Sequence, residues 1–413
     1  MRIRLITVGM LLCMPAWQAE ATTLQEAMDA ASGQHPELRI SEQSVEIARG
    51  QLTEQSSYAY NPELSLEPQR RRLNGGGTAN DYYIGLSQGI ELGGKRGYRE
   101  QSAQQALNAA YSENELTQQQ LGIGAARAFV ELFFSKQVFN LRSRQRVMLG
   151  QLSQAIHRQM EAGEVNQLDL NLARAAFTSA LSAEMGAKNS FTLGQAQYQM
   201  AIGEPGGEEP ADPELPRLLV DWKLPENPFD IALQSRPDLA ALRSRLAQSG
   251  ARSDLASAGR IPDPTLTVVA GREAGENIVK VGLSFPIPLL NSHKGAYRSA
   301  LAQASQAETR LEWSEKKLRL EVQAALYNHK SAMQAVTSAY QTEGPRISPD
   351  SIRLAQTAFN AGEMDLEELV IHINQALEAQ LTTMSIMKQG WLARIRLAEV
   401  LGHPEYILEG TQK

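Results

Sequence analysis

The chain has 413 residues, with 40 basic and 46 acidic side chains and a formal charge of −6, a balance that carries no electrostatic footprint for nucleic acid. Its length suffices for two or three ordinary domains, yet only 6% of it is aromatic. Alanine, glutamine, leucine, glutamate and serine dominate instead, which favours long helices packed through small side chains over a thick globular core.

Residues 1–21 read as a secretory signal. Arg2 and Arg4 give a positive start, Leu5 to Trp17 is mostly apolar, and Ala19-Glu20-Ala21 is a small-x-small cleavage site. The apolar run is too short to span a bilayer. The single cysteine, Cys13, lies inside this segment. Leu12 before it is bulky where a lipid-attachment site wants a small residue, which argues against lipidation. The processed chain then holds together by packing or oligomerisation, without disulfides.

Residues 22–203 form a first structural repeat. Leu24 to Ser57 reads as helix, interrupted at His35-Pro36, because the residue before proline resists the α region. Residues 63–92 read as a β-hairpin: two alternating runs around the glycine-rich Gly75-Gly76-Gly77 turn. Gly93-Gly94 lets the chain bend, and Lys95 opens a proline-free stretch to Glu161. As one helix that stretch is about 100 Å long. Within it Phe134, Val138, Leu141, Met148, Leu152 and Ala155 fall at coiled-coil spacing. Ala162-Gly163 turns the chain at a tip near residue 163, and a second helix returns from about Leu168 to Ala201.

Residues 204–228 are a linker rich in proline and acid. Residues 229–404 then repeat the plan. A helix is broken at Arg236-Pro237, and a β-hairpin occupies 264–288. A long helix runs from about His293 to Glu343, pauses at Gly344-Pro345 and Pro349, and resumes. A tip lies near residue 362, and a last helix ends before Gly402. Residues 405–413 read as a tail. The repetition is literal in places. His35-Pro36-Glu37-Leu38 returns as Arg236-Pro237-Asp238-Leu239, Asn61-Pro62 as Asp263-Pro264, and Ala162-Gly163-Glu164 as Ala361-Gly362-Glu363. Such collinear matches mark a tandem duplication.

Four strands per chain cannot close a barrel, and two isolated hairpins leave open edges that natural proteins avoid. Pooling the strands of several copies resolves both problems, and three copies supply twelve strands. The expected architecture is therefore mainly α with a small β component: a ring-shaped oligomer with a β-barrel at one end and a helical tube at the other. An exported chain with strands of this kind and no spanning helix suits a bacterial outer membrane.

The duplicated plan, the tips at Met160-Glu-Ala-Gly-Glu and Phe359-Asn-Ala-Gly-Glu, and the ends at Ile202-Gly203 and Leu401-Gly402 make the chain resemble TolC-like outer-membrane efflux proteins, from Leu24 to Pro404. The corner Glu91-Leu92-Gly93-Gly94-Lys95-Arg96 and the segment Pro286 to Gly295 are similar to the CzcC-like heavy-metal branch. The resemblance implies a homotrimer with a 12-stranded barrel among outer-membrane lipids and a tube of helical hairpins in the periplasm. It implies docking, tip first, on a periplasmic adaptor (a membrane fusion protein) and an inner-membrane pump of the resistance-nodulation-division (RND) type. The chain itself is then a passive duct and no enzyme, with no cofactor. It also places a carboxylate six residues past each tip glycine, at Asp169 and Glu368, facing the periplasmic mouth. Asp365 and Glu367 lie beside the second of these. Gly163, Glu164, Gly362 and Glu363 are the expected adaptor contacts. The alternative for the acids is that they only complement the helix dipole. Ile371 stands where many relatives have a second acid.

No two of the six histidines, His35, His157, His293, His329, His372 and His403, sit at metal-ligand spacing. His329 falls on a helix seam, and His372 shares a face with Glu368. Arg70-Arg71-Arg72 faces either lipopolysaccharide phosphates or solvent. Lys95-Arg96 marks the barrel-to-helix junction, within reach of headgroups. Tyr82 and Tyr83 belong either to an aromatic girdle or to ordinary strand packing. No nucleophile–base set and no phosphate loop is present. Two other readings stay open: a channel for drugs or for type I protein secretion, and, from another class, a periplasmic coiled-coil adaptor. An adaptor would have a single helical hairpin and no full-length duplication.

Overall fold

The structure, a computed structural model, describes residues 23–72, 75–206, 213–218, 224–341, 344–409 and 411–412, with backbone alone at 217, 344–350 and 411–412. The expected signal, Cys13 and part of the 204–228 linker lie outside the described residues.

Helix α1 (Leu24–Gln34) starts in a capping box, in which the Thr23 hydroxyl and the Glu26 carboxylate satisfy each other's backbone N–H. His35 ends it and caps α2 (Pro36–Ser56), accepting the Glu37 N–H at Nδ1, 3.1 Å. Strands β1 (Glu63–Arg72) and β2 (Thr78–Gly89) follow. Next come α3 (Lys95–Glu161), 67 residues without a break, and α4 (Gln167–Ala201). After the short β3 (Arg217–Leu218), the second half runs α5 (Pro228–Ser235), α6 (Pro237–Ala258), β4 (Thr265–Glu273), β5 (Glu276–Ser284) and α7 (Lys294–Gln341). Helices α8 (Gly344–Asn360) and α9 (Leu366–Leu401), a 3-10 turn (Pro404–Ile407) and β6 (Thr411–Gln412) complete the chain.

Two details depart from expectation. Helix α8 begins at Gly344 and runs through Pro349 rather than resuming after it. Pro345 sits in the first turn, where its missing N–H costs nothing, and Pro349 removes one helical bond. The hairpins are also not isolated. β2 pairs with β4, giving one antiparallel sheet in the order β1-β2-β4-β5 with the outer edges of β1 and β5 left open.

The main core lies away from the sheet, where α1, α3, α4, α7 and α9 meet. Ala27, Ala31, Ala125, Ala126, Phe129, Val130, Tyr198, Val336, Trp391 and Ile395 are buried together there. The alanines let the long helices approach closely. Linker and tail share a structure of their own, because β3 pairs with β6. Arg394, 1% exposed, reaches out of α9 to hold the tail. Its Nε donates to the Tyr406 carbonyl at 3.0 Å and a terminal nitrogen donates to the Glu409 carbonyl. Burial pushes this guanidinium down to about 10, against the opposing pull of Glu409, so it remains charged.

The duplication extends to hydrogen bonds. Each of α3, α4 and α9 ends in a left-handed glycine, Gly163, Gly203 and Gly402, and Gly362 does the same after α8. At each, the next residue's N–H bonds back to a carbonyl five residues earlier, as in Glu164 to Gln159 and Glu363 to Ala358, both 2.9 Å. These are Schellman caps. His35 Nε2 then donates to the Met200 carbonyl at 3.2 Å, and Arg236 donates to the Val400 carbonyl at 3.4 Å. Two unlike side chains thus do the same work in the two repeats.

Candidate functional site

The sheet has two chemically distinct faces, as strict alternation requires. On one, Leu64, Leu66, Tyr82, Ile84, Leu86, Leu266, Val268, Val279, Val281 and Leu283 are all exposed. Register joins them across all four strands: Leu66 faces Ile84, Ile84 faces Ala270, and Ala270 faces Val279. So large an apolar surface is not a water-facing one. With Ile90 and Phe285 below, also exposed, the band spans about five rows of alternate residues. That is roughly 27 Å along the strands, or about 20 Å of height at the usual strand tilt, close to a membrane barrel's lipid-facing belt. Among the described residues no helix is long and apolar enough to cross a membrane.

The opposite face is small and polar, with Ser65, Ser87, Thr265, Thr267, Gly85 and Gly271. At the end far from the helices it carries a cluster of charges. Arg71 lies 3.1 Å from Asp81 and 3.9 Å from Glu273, and Lys280 lies 3.6 Å from Glu273 and 5.3 Å from the Tyr83 ring. Asp81 is 3% exposed and accepts the Ala274 N–H at 2.9 Å. A carboxylate of the first repeat thus pins the hairpin turn of the second. The sequence reading missed this group. Its signal was Asp81 in phase with Tyr83 and Gly85, a charge on the non-lipid side of an otherwise apolar strand. Tyr82 and Tyr83 point to opposite faces, so only Tyr82 can join a girdle.

At the corner between sheet and helices, Lys95 donates to Asp263 at 2.7 Å and to the Ile261 carbonyl at 2.6 Å. Asp263 also accepts the Leu92 N–H at 2.9 Å and the Tyr60 hydroxyl at 3.0 Å. Burial works to raise the Asp263 carboxyl, but Lys95, Leu92 and Tyr60 outweigh it and hold it below its ordinary value. Arg96 donates to the Ser56 carbonyl at 2.8 Å and lies 4.6 Å from the centre of the Tyr58 ring. Arg99 pairs with Glu91 at 2.6 Å. The expectation that Lys95-Arg96 reaches headgroups is therefore corrected: both cations are engaged within the protein, and Lys95 joins the two repeats at the corner.

The two tips of the chain pack together. Ile156, Leu170, Ala173, Leu366 and Val370 form one buried cluster, with Met160, Val165 and Phe359 against it. Above this cluster Gly163, Glu164, Gly362 and Glu363 are exposed. Asn166 caps α4, and Asp169 closes a capping box with it: the Asp169 N–H donates to Asn166 at 3.0 Å and the Asn166 N–H donates to Asp169 at 3.2 Å. Asp365 and Glu368 repeat this arrangement at α9, at 2.8 and 3.4 Å. Glu367 stands exposed in the same turn. Three of the four predicted acids thus serve as helix caps, in matching places in the two repeats. His372 is exposed, and no group of three metal-binding side chains occurs among the described residues. His329, 4% exposed, is a core residue whose pKa burial and then Arg394 push down to about 4.

Residues 229–403, the second repeat, match the family model for outer membrane efflux proteins. The chain is 27% identical over 410 residues to the cobalt-zinc-cadmium resistance protein CzcC of Cupriavidus metallidurans, covering 94% of this chain and 88% of that protein. Its fold matches the Campylobacter jejuni CmeC outer membrane channel with a TM-score of 0.79 at 17% identity, over 92% of this chain and 86% of that one. It matches the open state of the Neisseria gonorrhoeae MtrE outer membrane channel with a TM-score of 0.76 at 19% identity, over 92% and 89% of the two chains. The chain has the duplicated TolC-like fold, its second repeat matches the outer membrane efflux protein family, and along 94% of its length it is similar in sequence to CzcC. It is an outer-membrane exit channel whose helical part lies in the periplasm. Family and fold are those of passive channels, not of enzymes.

Proposed function

We propose that this channel exports heavy-metal cations, as a homotrimer coupled by a periplasmic adaptor to an inner-membrane RND pump. The observation that carries the metal assignment is the similarity to a cobalt-zinc-cadmium resistance protein along 94% of the chain. The pump supplies the energy and the chain supplies the path. Glu164 and Glu363, beside the tip glycines, meet the adaptor together with Gly163 and Gly362. Asp169, Asp365, Glu367 and Glu368 surround the periplasmic aperture. Threefold repetition makes each of these acids a ring, and rings of like charge in a narrow, low-dielectric mouth concentrate cations. Capping does not compete with this role, because a carboxylate that accepts one backbone N–H keeps its charge.

The experiment is deletion of the gene followed by growth on metals and on amphiphiles. Loss of the channel is expected to sensitise cells to cobalt, zinc or cadmium and to leave tolerance of bile salts and hydrophobic drugs nearly unchanged. The reverse pattern moves the substrate to the drug-export branch.

A further inference from the structure

The three consecutive arginines at the end of β1 do not act together. Arg71 points to the polar face, paired with Asp81 and Glu273. Arg70 and Arg72 fall on the other face, in phase with Leu64 and Leu66, and both are exposed. β4 adds a third arginine there. Arg272 is opposite Tyr82, in phase with Leu266 and Val268, and is exposed. Its Nε donates to the Gly275 carbonyl at 3.2 Å.

Reading the lipid-facing positions of all four strands in register, the only ionisable charges are Arg70, Arg72 and Arg272. All three are positive, and no carboxylate shares the face. All three sit at the distal edge, Arg272 level with Tyr82 and Arg70 and Arg72 past it, at the end remote from the periplasmic helices. Arginine on a lipid-facing strand is costly at mid-membrane and nearly free at the interface, so this placement fixes their depth at the outer headgroups. From register, the Cα atoms of Arg70 and Arg272 lie two strands and one row apart, roughly 12 Å. That span is within the combined reach of two arginine side chains. Three guanidiniums without an acidic partner among the described residues form a site for oxyanions, which they bind through paired, charge-assisted hydrogen bonds.

We propose that Arg70, Arg72 and Arg272 bind the phosphates of the outer-leaflet glycolipid, with Tyr82 and the apolar band beneath taking its acyl chains. The inference rests on the membrane placement of the sheet and is independent of what the channel exports. It divides the arginine triplet: two of its members and a distant third face lipid, while the middle one braces the interior.

The test uses the intact oligomer in mild detergent and native mass spectrometry of bound lipid. Bisphosphorylated lipid A, its dephosphorylated form and inorganic phosphate are the probes. The unaltered protein is expected to retain bisphosphorylated lipid A and to bind the dephosphorylated form far more weakly. At about a fivefold contribution per basic residue near an anionic surface, the R70Q/R72Q/R272Q variant loses roughly a hundredfold in affinity. K280Q, a charge loss on the opposite face, keeps parental binding. Equal retention of both lipid forms, or parental binding by the triple variant, overturns the proposal. So does displacement of the lipid by inorganic phosphate at equal concentration, which makes the patch a site for free anions. Should the triple variant fail to assemble, the comparison of the two lipid forms on the unaltered protein still decides.

Discussion

In the proposed function Asp169 and Glu368 carry two duties at once, and only one needs their charge. Each closes a capping box by accepting a backbone N–H at 3.2 Å or 3.4 Å. An amide does that as well as a carboxylate. Asp169→Asn with Glu368→Gln should therefore leave folding intact, within about 0.5 kcal/mol. In planar bilayers it should lower conductance or cation preference, because the proposed three-fold rings of charge are removed. The matched alanine pair also loses the return bond of each capping box, while the caps Asn166 and Asp365 keep theirs. Parental conductance in the amide pair means that these acids only cap helices and the aperture lies elsewhere. His329 gives a second prediction at this scale. Its pKa falls from 6.5 to about 4 through burial and the nearby Arg394 charge. The unfolded chain then binds a proton that the folded chain refuses. Stability is complete above pH 6.5 and falls as pH drops towards about 4, by up to roughly 3 kcal/mol. Thermal unfolding across that window should show the loss, and His329→Met should flatten it. An unchanged slope in the variant assigns the acid lability to other groups.

The elements were legible where local chemistry governs them. Proline opening helix α2, glycine at the tips and repeat ends and strict alternation in the hairpins all act within a few residues, so spacing alone located them. The tail was not legible, because β6 exists only through pairing with β3, nearly two hundred residues away, and through Arg394 at the carbonyls of Tyr406 and Glu409. Nor was the role of Lys95, whose partner Asp263 belongs to the other repeat. The acids at the tip were found by their distance from the glycines, but their capping geometry needs coordinates. The glycines themselves divide into two classes that the sequence does not separate. Gly163 and Gly362, with φ of +78° and +75°, face open space. Gly203 and Gly402, with φ of +82° and +74°, would place a new Cβ 2.9 Å from His35 and Pro36 or 3.1 Å from Arg236. Alanine at either tip should cost about 1 kcal/mol of backbone strain. Alanine at 203 or 402 adds a clash worth about 1–3 kcal/mol more. Differential thermal unfolding of the four variants should rank them in that order, and equal losses would mean the repeat junctions are loosely packed.

At the scale of the whole molecule, one chain is half a solution. Its sheet is a single four-stranded antiparallel unit with β1 and β5 open at the edges and a broad apolar band across one face. Four strands are too few to close around a lumen, and open edges cannot stand in lipid, where each unpaired backbone group costs several kcal/mol. Pairing β5 of one copy with β1 of the next removes every edge at once. The loop after β5 also exposes the apolar side chains Ile287, Leu289 and Leu290. Three copies give twelve strands, enough for an open lumen, and the polar face with Arg71, Asp81, Glu273 and Lys280 then lines it. Mass measurement in mild detergent is expected to find three copies of the chain. That species should resist dissociation at temperatures where a membrane-free sheet would unfold, since disrupting it exposes the edges. A stable monomer with its full β content would sink this architecture, because the chain would then be satisfying its two open edges by some internal rearrangement of the hairpins. A dimer would demand an eight-stranded barrel whose interior side chains leave no path for a solute, and the duct reading would fall with it.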